Sequence, residues 1–274
     1  MSHDVFRMGD LEVITLCEGF APLPLQDECP GHDVDWGAER RSHPWAFLDD
    51  AHWAWHVHAF WLRTPQGDVL VDTGVGAFGP WAPWAEDSRP QAYGMDAASV
   101  RHVILTHLHA DHAGGVVNAD GTARFPNARY HVHPADWAEF ETNPVIRPQD
   151  GQRYDARGVM QGLHDDGVVS LDADDHEVIP GVRVLHTPGH TPGHRSVLLD
   201  AGPQTLLLTG DALHTPVQVA HPDWASDHDD DAEEASRSRV RLLGRAEQGG
   251  WHVGVSHFAR PFGTVGPHGW TQGA

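Results

Sequence analysis

Apolar residues fall in short runs, and most of the runs end at Gly, Pro, Asp or His. "LEVITLCEG" (11–19) reads as a first strand closing at a glycine turn. "HVHAFWLRT" (56–64) and "DVLVDTG" (68–74) form a hairpin pattern around "PQGD". "VRHVILTH" (100–107) and "ARYHVHP" (128–134) are buried strands, and "PADWAEFET" (134–142) starts a short helix. The pattern then repeats. "VRVLHTPGH" (182–190), "RSVLLD" (195–200) and "TLLLTGD" (205–211) are strands. "DDDAEEASRSRVRLLGRAEQGG" (229–250) is a helix with acids in its first turn, Arg later and Gly at its end, matching the helix dipole. "WHVGVSHF" (251–258) is the last strand. Strands followed by helices, twice over, predict two packed sheets with helices outside.

Three stretches lack this order. Residues 20–55 are rich in Pro, Gly and Trp and read as an irregular arm. Residues 74–94 are punctuated by Gly and Pro and read mainly as loop, and 143–170 are mixed. Nothing has the composition of a linker between independent domains, so 1–274 is expected to be a single domain carrying the arm.

Charge narrows the partners. The 39 acidic and 18 basic residues give a formal net charge of −21, a field that repels nucleic acid and anionic membrane. No run has the roughly 18 apolar residues of a membrane span, and no export signal is read at the N-terminus. A cytoplasmic protein with Cys17 and Cys29 reduced is therefore expected.

Against this background "ILTHLHADHAGG" (104–115) stands out. His107, His109, Asp111 and His112 follow a buried strand within six positions, and Gly114 and Gly115 permit a tight backbone there. Neutral imidazole and carboxylate suit zinc and similar divalent ions. Other strands also end in ligand types: His190 on a Gly turn, Asp211 in "LLLTGD" and His257 in "VGVSHF". If the sheets gather these ends at one edge, the ligands converge.

"THLHADHAGG", "HTPGHTPGH", "TGD" and "SHF" resemble, in order and spacing, the metallo-β-lactamase superfamily over roughly residues 10–265. The resemblance implies an α/β fold, the four-layer αβ/βα metallo-β-lactamase sandwich, with a site for two divalent metal ions, zinc foremost, at one edge of the sheets. It implies that His107, His109 and His190 hold the first metal, that Asp111, His112 and His257 hold the second, and that Asp211 bridges both. The flavodiiron branch has Glu where His109 stands, which disfavours an oxidoreductase. "GDALHTPVQVAHPDW", the acidic helix after it and "SHFARPFG" look most like the methyl parathion hydrolase-like branch, close to the N-acyl homoserine lactonases. Those lactonases carry a Tyr shortly after the bridging Asp. This chain has Ala212, Leu213 and His214 there, and its tyrosines, Tyr93, Tyr130 and Tyr154, lie elsewhere.

The implied chemistry is hydrolysis of a small neutral ester, lactone or phosphotriester by a hydroxide shared between two ions. Asp111 is the expected catalytic carboxylate, orienting the nucleophile and relaying a proton. His214 is a candidate substrate contact, and His194 is expected to stabilise its loop. Seven of the eleven Trp precede residue 85; core packing or a homodimer contact accounts for several, and an apolar wall over the metals is the sharper reading. Glyoxalase-type thioester hydrolysis is the competing enzyme class, although no basic cluster follows Asp211 to hold a glutathione carboxylate. A non-catalytic zinc-binding protein is the competing non-enzyme.

Overall fold

The structure, a computed structural model, describes residues 4–76, 93–142, 145–146 and 153–273. The chain forms two compact units, Met1–Gly19 with His58–Asp174 and Phe20–Val57 with Asp175–Ala274. Among the described residues no helix is long and apolar enough to cross a membrane. Among the described residues, Cys17 and Cys29 form no disulfide.

The first unit is built on a seven-stranded sheet. Its strands are β1 (Val5–Met8), β2 (Leu11–Pro24), β3 (His52–Thr64), β4 (Gly67–Val71), β5 (Val100–Ile104), β6 (Arg129–Val132) and β9 (Val169–Leu171), hydrogen-bonded in that order. A separate pair, β7 (Val145–Ile146) and β8 (Arg153–Tyr154), lies between β6 and β9 in the chain. The β3–β4 hairpin is antiparallel, with Phe60 opposite Val71 and Thr64 opposite Gly67. From β4 onwards the sheet is parallel. In β5 Val100, Val103 and Ile104 are buried, whereas Arg101 is exposed. Val103, Tyr130, Val132 and Leu108 are buried together with Trp137 and Phe140 of the helix at Pro134–Thr142.

A helix at Ala156–Asp165 falls inside the stretch that reads as mixed. Asp155 caps it, accepting from the Gly158 N–H, and Ala156, Met160 and Leu163 bury at helical spacing. Gly158 and Gly162 within it obscure that stripe in the sequence.

The second unit carries the other seven-stranded sheet. Its order follows the chain: β10 (His176–Ile179), β11 (Val182–His186), β12 (Arg195–Ala201), β13 (Gln204–Leu208), β14 (His252–Gly254), β15 (Phe262–Gly266) and β16 (Gly269–Gln272). The acidic helix spans Ala232–Gly249, capped by Asp231 and closed by Gly250 in the left-handed region at φ 61°. Its Leu242, Leu243 and Ala246 pack with Leu207, Val253 and Val255 of the sheet. The Trp-rich segment is more ordered than its composition shows. It contains a helix at Trp36–Ser42, and Trp53 packs edge-on to Trp36 and against Phe47. Aromatic contacts between residues distant in sequence supply the order there, so no local period announces it. Trp81 and Trp84 lie outside the described residues.

In the first unit the chain after β4 runs against the HADHAGG turn. A Cβ on Gly115 would lie 2.0 Å from the Thr73 carbonyl oxygen, and one on Gly114 would lie 2.3 Å from that of Val75. Both approaches are to backbone, which has little room to yield. Gly115→Ala is therefore expected to lower stability by about 1–3 kcal/mol, whereas Gly244→Ala, inside the long helix with open space around it, should raise it by roughly 0.5–1 kcal/mol. Urea unfolding of the two variants checks both signs; equal midpoints would contradict the close packing at Gly115.

Candidate metal centre

The first unit brings four of the sequence-predicted residues into one turn. β5 ends at Ile104, the chain passes through His107 and His109, and a single helical turn at Ala110–Ala113 carries Asp111 and His112. Asp111, His107 and His112 are buried. The Nε2 of His107 comes within 2.9 Å of His109 Nδ1, and His112 Nε2 lies 3.4 Å from Asp111 Oδ2. Ring nitrogens and a carboxylate oxygen thus gather on one side of the turn.

The opposite nitrogens are tied down. Asp72, fully buried just past β4, accepts from His112 Nδ1 at 2.8 Å and from the Thr106 N–H and hydroxyl. With its hydroxyl proton given to Asp72, Thr106 Oγ1 accepts from His107 Nδ1 at 3.1 Å. Thr73 donates to the His112 carbonyl from both its N–H and its hydroxyl. Asp72 is held at φ 62°, a conformation rare for a residue with a Cβ and less so for Asp. In the sequence "DVLVDTG" reads only as a strand of the hairpin. The available signal was the same one that marked the ligands, an acid directly after an apolar run.

The second unit gathers His190 and His257 around Asp211. His257 Nε2 is 3.0 Å from each Asp211 oxygen, and His190 Nε2 is 3.4 Å from Oδ2. Here too the outer nitrogens are occupied: His257 Nδ1 donates to the His56 carbonyl at 2.7 Å, and His190 Nδ1 to Asp229 at 3.4 Å. His194 is fully buried. Its Nδ1 donates to the Thr187 carbonyl and its Nε2 accepts the Asp211 N–H, both at 2.9 Å. It therefore holds the backbone that presents Asp211. His214 is buried as well, with Nε2 3.4 Å from Asp211 Oδ2. Burial pushes its pKa down to about 4, outweighing the adjacent carboxylate, so it is neutral.

Asp229 lies in an acidic run that reads as a solvated helix start. Asp231 does cap that helix, but the Asp229 side chain is completely buried. Burial alone would raise its pKa; the His190 hydrogen bond, His214 and Arg239 prevail and hold it below the usual carboxylate range. Arg239, also fully buried, donates to Asp229 and to the Ala212 and Trp224 carbonyls. One guanidinium thereby fixes the loop after Asp211 and the carboxylate behind His190.

The donor set fits divalent metal ions. Four imidazoles have one nitrogen engaged by an oxygen acceptor, which sets the tautomer and leaves Nε2 as a lone-pair donor; this is the usual arrangement behind a metal-bound histidine. Asp111 and Asp211 supply the hard oxygens. Losing an outer partner typically costs 10–100-fold in metal affinity. Asp229→Ala is accordingly expected to weaken zinc binding by about that factor, measured by chelator competition, and unchanged affinity would contradict its role.

Glu28, buried in the same region, titrates out of range. Burial raises its pKa to about 8, against opposing effects from Ser226 and Arg239. Folded protein then keeps this proton up to about pH 8, while the unfolded chain releases it near 4.5. The folded state binds more protons across that window, so stability falls as pH rises through it. Glu28→Gln should flatten the decline between pH 5 and 8 in urea-unfolding series; an unchanged slope would rule the effect out.

A family model described as the metallo-beta-lactamase superfamily matches residues 52–247. An N-acyl homoserine lactonase from Bacillus sp. is 33% identical over 181 residues, covering 58% of this chain and 64% of that protein. The N-acyl homoserine lactonase AttM of Azorhizobium caulinodans is 31% identical over 186 residues, 58% of this chain and 65% of its own. The chain thus spans slightly less than two thirds of these relatives. Among solved structures, AidC, a dizinc quorum-quenching lactonase in complex with a product, superposes with a TM-score of 0.85 at 22% identity, covering 100% of this chain and 98% of its own. The hydrolase AbOPH gives 0.82 at 20% identity over 98% and 96%. With more than half its length matched by the family model and its fold shared with these structures, the chain belongs to the metallo-β-lactamase superfamily.

Proposed function

We propose that the protein is a dinuclear metal-dependent hydrolase of small neutral lactones or esters. The observation that carries this reading is the common state of His107, His112, His190 and His257: each is buried, with its outer nitrogen engaged and Nε2 left to bind a cation. In this reading His107, His109 and His190 would hold one divalent ion and Asp111, His112 and His257 the other, with Asp211 a ligand shared by both. Zinc is the ion such nitrogen and oxygen ligands suit best. When bound, the ions supply Lewis-acid polarisation of the substrate oxygen and a nucleophile at neutral pH.

The protein's own groups do the rest. Asp111 Oδ2 accepts the proton of the attacking water and returns it to the leaving alkoxide, so the ester yields one acid and one alcohol. His194 and Arg239 hold the Asp211 loop rigid, and Asp72 and Asp229 keep His112 and His190 in the tautomer with Nε2 unprotonated. The lactonase names of the relatives support the lactone as the first substrate to test, and the net charge of −21 favours a neutral one over an anion.

Elemental analysis of protein supplied with zinc is expected to give about two ions per chain, the number a shared bridging carboxylate serves; a reproducible value of one or zero would sink the dinuclear reading. Asp211→Ala should lose more hydrolysis than His194→Ala, because the first removes a ligand and the second a support. A neutral lactone or aryl ester should exceed its matched anionic ester in kcat/KM at low salt. A preference of about tenfold for the anion, roughly 1.4 kcal/mol in the transition state, would overturn the substrate assignment.

A further inference from the structure

Glu28 and His228 stand outside the ligand set, and the chemistry above uses neither. Both belong to the second unit. Glu28 follows a single 3₁₀ turn at Leu25–Asp27, and His228 lies in the turn before the Ala232–Gly249 helix. Backbone pairing brings these segments together. Glu28 forms an isolated antiparallel bridge with Ser226, and the Asp227 N–H donates to the Asp27 carbonyl at 3.0 Å.

The side chains meet there without satisfying one another. Glu28 is 1% exposed, and neither of its carboxylate oxygens has a hydrogen-bond partner in the protein. The Ser226 hydroxyl acts on Glu28 but completes no hydrogen bond to it. Although the His228 side chain is 36% exposed, its Nε2 is buried, without a hydrogen-bond partner, and 3.8 Å from Glu28 Oε1. That separation is too long for a hydrogen bond. It is within the span of one metal ion, because two ligands each roughly 2.0–2.2 Å from a zinc can lie up to about 4.2 Å apart. Each unpaired buried polar group costs about 1–3 kcal/mol, and a cation held between the two would relieve both.

The surroundings suit a cation. Asp27 and Asp229 act on Glu28 as anions, and the opposing Arg239 is paired with Asp229 at 3.2 Å. Burial holds His228 below the usual imidazole range, so it is neutral with a lone pair to give. Glu28 keeps its proton up to about pH 8, and an arriving ion displaces that proton to solvent.

We propose that Glu28 and His228, with the Ser226 hydroxyl beside them, form a site for one divalent cation of the zinc class, additional to the ligands around Asp211. The ion clips the turn after Leu25–Asp27 to the turn before the long helix. With so few ligands the site is weaker than the dinuclear centre, so it fills only against free metal and empties on dialysis.

The test measures zinc per chain by elemental analysis after equilibrium dialysis at a fixed free zinc concentration, in wild type, Glu28→Gln and His228→Gln. The wild type should hold one ion more than either variant and lose it in zinc-free buffer. Reading the difference makes the result independent of what the ligands around Asp211 bind, so failure of the dinuclear reading leaves this one standing. Added zinc should also raise the thermal midpoint of the wild type more than that of either variant. His228→Gln changes a side chain that is partly in solvent, so it serves even where Glu28→Gln fails to fold. His221→Gln, at an exposed histidine of the same unit, should keep the extra ion. Equal zinc uptake by wild type and either folded variant would overturn the site. Loss of the ion in His221→Gln as well would mark adventitious surface binding and overturn it too.

Discussion

An imidazole can give a lone pair to a cation only if its other nitrogen carries the proton and has somewhere to put it. That requirement organises both units. The first spends a buried aspartate, a threonine and a strained backbone conformation at Asp72 to satisfy His107 and His112. The second uses a backbone carbonyl for His257 and a buried carboxylate for His190. Without those acceptors, buried imidazoles would carry protons in the wrong place or remain unsatisfied, at a cost of about 1–3 kcal/mol each.

Burying acceptors creates a second problem, which Arg239 addresses. Asp229 in a dry environment would be pushed towards its neutral form, and neutral it would give His190 a weaker acceptor. The His190 hydrogen bond, His214 and the Arg239 guanidinium at 3.2 Å keep it ionised, and the arginine also satisfies the carbonyls of Ala212 and Trp224. The pair is fully buried, so its net contribution to stability is small once desolvation is counted; its effect is positional. At Glu28 burial outweighs Ser226 and Arg239 and leaves it with a proton to about pH 8. Two carboxylates in one region thus sit in opposite ionisation states, because burial prevails at Glu28 and the hydrogen-bonding and charged neighbours prevail at Asp229.

The glycines at 114 and 115 serve the same end from the backbone side. They let residues 73–75 run against the HADHAGG turn, which is how Thr73 reaches the His112 carbonyl. Metal-type ligands on a four-residue helix have little intrinsic rigidity. Here the rigidity comes from a neighbouring segment with two donors to one carbonyl oxygen.

The sequence by itself determined the elements whose order is local. Apolar runs ending in His or Asp placed the candidate ligand loops after β5, β11, β13 and β14. Acids, arginines and a terminal glycine located the Ala232–Gly249 helix to within a turn. Spacing alone selected His107, His109, Asp111 and His112 from 23 histidines and 39 acids. Tertiary structure decided what depends on pairs far apart in the chain. Asp72 meets His112 forty positions later, and Asp229 meets His190 from inside a run that is otherwise solvent-facing. The Trp-rich segment acquires its walls only when Trp45 finds Phe258 and Trp55 finds His257. Periodicity reports which residues leave water, but a hydrogen bond or ring contact between distant segments leaves no period, so only the folded chain reveals it.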